Sequence, residues 1–283
     1  MPFRAMANKR LTGVLNWHRA RATIHSMAVL EAIIADIRQH KPDHIALTGD
    51  LVNVGYPPEF PVAARMVETL GGPTEVSVIP GNHDAYVRGS LPAMDASFAP
   101  FMCSDGDEAP GASGLAERFP YLRIRQNVAF IGINTGIPTV PFFATGTMGP
   151  EQGRKLANLL EETGRQGLFR VLMLHHPPVT RGVKFGRGLT DSRLFERVLR
   201  KHGAELVLHG HNHRFSVQHL TGNNGPIPVI GVGSASAVPG TVQHLAEYNL
   251  IRIVPGSEQA LHIERRGIAF ESRNVARIGL VTL

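Results

Sequence analysis

Four short aliphatic runs punctuate the chain, and each stops at a polar cluster. Ile45-Ala46-Leu47 leads into Thr48-Gly49-Asp50, and Val76-Ser77-Val78-Ile79-Pro80 into Gly81-Asn82-His83-Asp84. Val171-Leu172-Met173 leads into Leu174-His175-His176-Pro177-Pro178, and Leu206-Val207-Leu208 into His209-Gly210-His211-Asn212-His213. Short continuous apolar runs are the pattern of strands buried on both faces, as in a parallel sheet. Helical periodicity fills the gaps. From the N-cap candidate Ser26, Val29, Leu30, Ile33, Ile34 and Ile37 share one face until Lys41-Pro42. A second helix is predicted from Pro58 to Leu70, stopped by Gly71-Gly72, a third from Pro150 to about Thr163, and a fourth from Thr190 or Asp191 to about Lys201. Strand–helix–strand alternation predicts βαβ units.

Leu122-Arg123-Ile124-Arg125 alternates, as a half-buried strand would, and a turn at Gln126-Asn127 joins it to the more apolar run from Val128 to Ile133. Residues 85–120 lack regular periodicity, and a stretch of that length predicts a cap beside the site, with Tyr86, Arg88 and Phe101 as candidate substrate contacts. After Arg214 the pattern turns to β, with strands at Phe215–Leu220, Pro228–Val232, Tyr248–Val254 and Leu261–Glu264.

Length and composition narrow the picture. A chain of 283 residues that is 43% hydrophobic can bury one large α/β core, and residues 1–283 read as one domain. The net charge of +6 suits anionic substrates, yet the basic residues are scattered and form no dedicated nucleic-acid groove. One cysteine, Cys103, excludes an intrachain disulfide, and no apolar run has the length of a membrane span; a cytoplasmic location is expected. The N-terminal arm, residues 1–25, is basic without acidic residues; Leu11, Val14, Leu15 and Trp17 are its candidate packing groups.

The chemistry gathers at the strand ends. In open α/β sheets ligands bind at the carboxyl ends of the strands. Six of the 14 histidines fall in three of the four clusters, with Asp50 in the fourth. Asp, Asn and His without Cys suit manganese, iron or zinc rather than a thiolate centre. His211-Asn212-His213 also spells the name of the HNH nucleases, but no hairpin-and-helix metal finger surrounds it.

The ordered set GD, GNHD, HH and GHxH resembles the calcineurin-like metallophosphoesterases, and within them the bacterial cyclic-nucleotide phosphodiesterase type. The resemblance implies a four-layer α/β/β/α sandwich and a metal-dependent phosphoester hydrolase with a small phosphoester substrate and two divalent metals. It makes Asp50 the bridging ligand, adds Asn82, His175 and His211 around the second metal, and gives His213 to the first. His83 becomes the general acid, with Asp84 beside it orienting the imidazole, and His176 and His209 support the ligands. The alternative is a non-catalytic scaffold of the same fold. The family pattern opens with Asp-x-His on a first strand, and no Asp precedes Asp36 here. The resemblance therefore implies that this strand and its two ligands are missing, so that one metal is bound tightly; His18 and His25 are the nearby histidines that could substitute.

Overall fold

A computed structural model describes residues 9–11, 13, 24–107, 114–179, 181, 183–238, 245–257, 260–268 and 274–283. Val14, Leu15, Trp17 and His18 lie outside them. Among the described residues no helix is long and apolar enough to cross a membrane.

Helix α1 (Met27–His40) starts where Ser26 accepts a hydrogen bond from the Val29 N–H, and stops at Lys41 in the left-handed region. Strands β1 (Ile45–Leu47) and β2 (Val76–Val78) flank α2 (Glu59–Glu68) and pair in parallel, Ile45 opposite Val76. Helix α3 (Leu91–Phe98) follows, then β3 (Tyr121–Arg125), β4 (Val128–Gly132), α4 (Pro150–Arg165), β5 (Phe169–Leu174), α5 (Ser192–His202) and β6 (Leu206–His209). The chain ends in β7 (Ser216–Thr221), β8 (Pro226–Gly231), β9 (Glu247–Ile253), β10 (Leu261–Ile268) and β11 (Val275–Thr282). A six-stranded mixed sheet runs β3-β4-β5-β6-β8-β7, and a three-stranded antiparallel sheet runs β11-β10-β9.

Burial explains the layers. Every residue of β5 is buried. Its Leu172 and Leu174 pack with Leu156 and Leu160 of α4 and Phe195 and Leu199 of α5. On the opposite face, Val171 meets Ile263 of β10, and Met173 joins the cluster of β1–β2 with α2 and α3. Helix α1 packs through Ile33 near Tyr248 and Val275 of the second β layer, and Asp36 is gripped by Arg266 Nε at 2.7 Å and Nη2 at 2.9 Å. The order helices, sheet, sheets, helices is the α/β/β/α sandwich.

Two expectations are corrected. Residues 85–107 do not form a cap. Met94 and Phe98, four apart on α3, pack with Phe101 and Met102 into the same core cluster as Phe60 and Val78. Phe101, 3% exposed, is therefore a core residue rather than a substrate contact. The phase of β3 is also inverted. Arg123 is buried while Ile124 is 38% exposed. The guanidinium goes inside because carbonyls satisfy it: Cys103 O at 2.8 Å, Val76 O at 2.6 Å and Pro100 O at 2.7 Å.

This interior makes the fold acid-sensitive at one point. His44 packs on Phe130, with ring centroids 4.4 Å apart, and its Nε2 lies 2.8 Å from Ser77 Oγ. Burial, then the charges of Arg125 and Arg123, pull its pKa down to about 4. The unfolded chain takes up this proton near pH 6.5 and the folded one only near pH 4. His44 therefore contributes stability above pH 6.5 that is lost as pH falls toward 4. Urea unfolding from pH 7 to 4 should show His44→Gln removing up to one proton of slope, about 1.4 kcal/mol per pH unit. An unchanged slope would show that His44 does not carry it.

Candidate metal centre

The carboxyl ends of β1, β2, β5 and β6 converge, and each delivers one polar turn. After β1, Gly49 (φ 89°) and Asp50 (φ 60°) are left-handed, as are His211 (φ 65°) and His213 (φ 51°) after β6. Non-glycine residues in this region are strained, and such strain gathers at functional sites. The turns after β1 and β2 touch: a Cβ on Gly81 would lie 2.2 Å from Asp50 Oδ1, so only glycine fits there.

His175 is the hub. Its Nδ1 donates to Thr48 O at 2.6 Å, which leaves the Nε2 lone pair facing inward. Around that atom stand Asp50 Oδ2 at 3.3 Å, Asn82 Oδ1 at 3.2 Å and His211 Nδ1 at 3.3 Å. His211 Nδ1 lies 2.8 Å from the same Asn82 oxygen. Four lone-pair atoms crowded on one point repel one another unless a cation or a proton sits among them. The donor set is hard to borderline, and its histidines are held by carbonyls or by one another. These residues therefore fit a divalent metal.

The electrostatics agree. Burial lowers the His175 pKa, but the Asp50 charge and the hydrogen bonds to Asp50 and Thr48 outweigh it, and the net shift is upward. Burial likewise raises Asp50, but the charges of His175 and His83 hold it well below the usual carboxylate range. Burial, then His175, depresses His211 to about 3, and burial holds His213 at about 4 despite the Asp50 charge; both imidazoles are neutral at pH 7.

His176 comes closer than its expected supporting role. The ligand atoms of His175, His176 and His211 all lie within 4.8 Å of one another. His176 Nδ1 is 2.9 Å from Thr135 Oγ1, while its buried Nε2 has no hydrogen-bond partner. Sequence reasoning missed Thr135; the available signal was that β4, too, ends in a polar cluster, Asn134-Thr135-Gly136. His209 donates from Nδ1 to Gly210 O at 2.9 Å and lies outside the hub. The ring of His213 stands 6.3 Å from that of His25, whose Nδ1 lies 2.8 Å from Ser236 Oγ. His25 forms an isolated antiparallel β-bridge with Ala237.

His83 borders the cluster. Its backbone N–H donates to Asp50 Oδ1 at 2.8 Å, its Nδ1 donates to Asn53 O, and its ring stacks on Tyr86 with centroids 5.6 Å apart. Tyr86, expected as a substrate contact, is buried beneath this imidazole, and Lys9 Nζ lies 4.7 Å from its ring centroid. Arg88 is exposed.

Asp84 is a correction. Its carboxylate does not orient His83. It accepts from the N–H groups of Asp50, Leu51 and Gly81 at 2.8 Å and of Val52 at 3.1 Å. Four backbone donors from two turns outcompete one imidazole, which has its own carbonyl partner. Asp84 clamps the turn that carries Asp50 to the turn that carries Asn82.

A layered α/β sandwich with a strand-end cage of Asp, Asn and His defines a metallophosphoesterase fold. Residues 17–215 match the family described as calcineurin-like phosphoesterase, and the chain belongs to that family. A probable cyclic nucleotide phosphodiesterase of Synechococcus sp. is 30% identical over 190 residues, 66% of this chain. The aligned stretch spans 64% of that relative's own length. A dimetal phosphatase from Danio rerio superposes over 89% of this chain and 88% of its own, with a TM-score of 0.57 at 15% identity. The purple acid phosphatase PPD1 from yellow lupin (Lupinus luteus) seeds does so over 86% and 47%, with a TM-score of 0.56 at 15% identity. These two likenesses bear on the fold.

Proposed function

We propose that the chain is a metal-dependent phosphoester hydrolase acting on a small phosphodiester. The observation that carries this reading is the convergence of Asp50, Asn82 and His211 on His175 Nε2. Asp50, Asn82, His175 and His211 hold the tightly bound metal, and Asp50 with His213 faces a second, weaker position. Divalent metals at such a pair of sites supply a hydroxide nucleophile at neutral pH and neutralise charge on the phosphoryl oxygens. The protein's part is placement. Thr48 O aims His175, and Asn53 O with the Tyr86 ring holds the His83 imidazole at the edge of the cluster, where it serves as the general acid to the leaving oxygen. The Synechococcus relative makes cyclic nucleotides the first substrates to try. A cytoplasmic location fits a chain whose one cysteine, Cys103, is buried.

The direct test is hydrolysis of bis(4-nitrophenyl) phosphate with Mn²⁺, Fe²⁺ or Zn²⁺. Activity above a His83→Ala control supports the reading; none with any of the three metals overturns it. A finer outcome separates the roles: His83→Asn should keep the wild-type metal content and lower kcat by about 10²-fold, as loss of a general acid does. Metal loss equal to that of Asp50→Asn would remove His83 from this role.

A further inference from the structure

Beside the metal centre lies a second feature that the hydrolytic chemistry does not use. A cavity of about 310 Å³ opens where the turns after β5 and β6 meet the start of β7, lined by Val179, Arg181, Val183, Asn212, Arg214 and Gln218, among others. Asn212 separates the proposed ligands His211 and His213. Consecutive Cα atoms are about 3.8 Å apart, so cavity wall and metal cage are one residue step from each other.

The charge in this cavity is unbalanced. Among the described residues no Asp or Glu lines it. Arg181 and Arg214 are exposed, and among the described residues neither guanidinium forms an ion pair or a hydrogen bond. Two arginines on one concave wall give it a positive field that attracts an anion. Guanidinium forks match phosphate oxygens in pairs, and Asn212 and Gln218 add neutral donors.

We propose that this cavity binds a second phosphate of the substrate, a monoester group on the portion that is not cleaved. This rests on the phosphoesterase reading and narrows its substrate class. Two guanidinium charges match a phosphate monoester, which carries about −1.5 to −2 at pH 7, better than a carboxylate. A cyclic mononucleotide, with its single charged diester, leaves the cavity unfilled. The favoured substrate is a phosphodiester that also bears a terminal phosphate.

Two chromogenic esters isolate the effect: the 4-nitrophenyl ester of thymidine 5′-phosphate, and the same ester carrying a 3′-phosphate. In the metal-loaded wild type, kcat/KM should be at least about tenfold higher for the 3′-phosphorylated ester. Arg181→Ala and Arg214→Ala should each reduce that ratio, and the double variant should bring it near one. Arg214→Lys, which keeps the charge and loses the fork, should fall between. Arg277→Ala, an exposed arginine on β11, should keep the wild-type ratio. Calorimetry with thymidine 3′,5′-bisphosphate and thymidine 5′-monophosphate gives a second readout: tighter binding of the bisphosphate, lost in the double variant. A ratio near one in the wild type, or an equal drop in Arg277→Ala, overturns the assignment. If no ester is hydrolysed, the phosphoesterase reading fails, while calorimetry still decides the cavity: equal affinities for the two nucleotides overturn it.

Discussion

Asp50→Asn is expected to strip the metal and lower kcat/KM by about 10³-fold or more, with little change in fold. The substitution is nearly isosteric. An amide oxygen can still accept the His83 N–H that Asp50 Oδ1 accepts at 2.8 Å, so the turn has no reason to open. What disappears is the negative charge 3.3 Å from His175 Nε2. Without it a dication meets neutral donors only, and one anion can no longer serve two metals, which removes nucleophile generation and charge neutralisation together. The protonated form of His175 also loses its partner, so the imidazole should titrate lower than in the wild type. Elemental analysis beside the bis(4-nitrophenyl) phosphate assay checks this. An Asp50→Asn protein that retains wild-type metal would remove Asp50 from the centre of the site.

Asp84→Ala is expected to cost about 3–5 kcal/mol of stability, because buried N–H groups left without an acceptor cost about 1–3 kcal/mol each, offset in part by relief of the buried carboxyl, whose pKa burial and the Asp50 charge raise to about 6. The side chain is 1% exposed and holds four N–H groups that would lose their acceptor. Metal affinity should fall with stability, because the clamp sets the spacing of Asp50 and Asn82. Urea unfolding of the metal-free protein measures the first effect and metal titration the second. Were Asp84 instead an orienting partner of His83, alanine would lower kcat and leave the unfolding midpoint near its wild-type value.

The contrast between these two aspartates shows what a sequence of this kind discloses. The placement of Asp50, Asn82, His175, His211 and His213 at strand ends was legible because parallel strands are continuous aliphatic runs, so the polar residues after them stand out. The α1 boundaries were legible because Ser26 and the spacing from Val29 to Ile37 agree. Asp84 was misread because its partners are backbone groups, three of them in a turn more than 30 residues away, which no side-chain pattern announces. The same holds for Arg123, whose burial depends on carbonyls from Val76, Pro100 and Cys103. Helix α3 was hidden by its brevity: two buried positions, Met94 and Phe98, hardly constitute a period. The closeness of His25 to His213 joins chain positions nearly 190 residues apart, a relation only the tertiary structure supplies.

The ligands do not all grow from one sheet. Asp50 and Asn82 follow β1 and β2, a two-stranded pair, whereas His175 and His211 follow β5 and β6 of the six-stranded sheet. A metal ion seated among them is thus a rivet through two plates. The plates also meet through the packing of Met173 and Phe130 and through hydrogen bonds from β3 to β2, Tyr121 Oη to Val78 O at 2.8 Å and Arg123 Nη1 to Val76 O at 2.6 Å. The rivet fixes their lateral register at the rim where the chemistry is proposed to occur. Occupancy then becomes a mechanical property of the whole sandwich: at a free metal concentration of 1,000 times Kd the native state gains about 4 kcal/mol, and that gain resists relative motion of the two β layers.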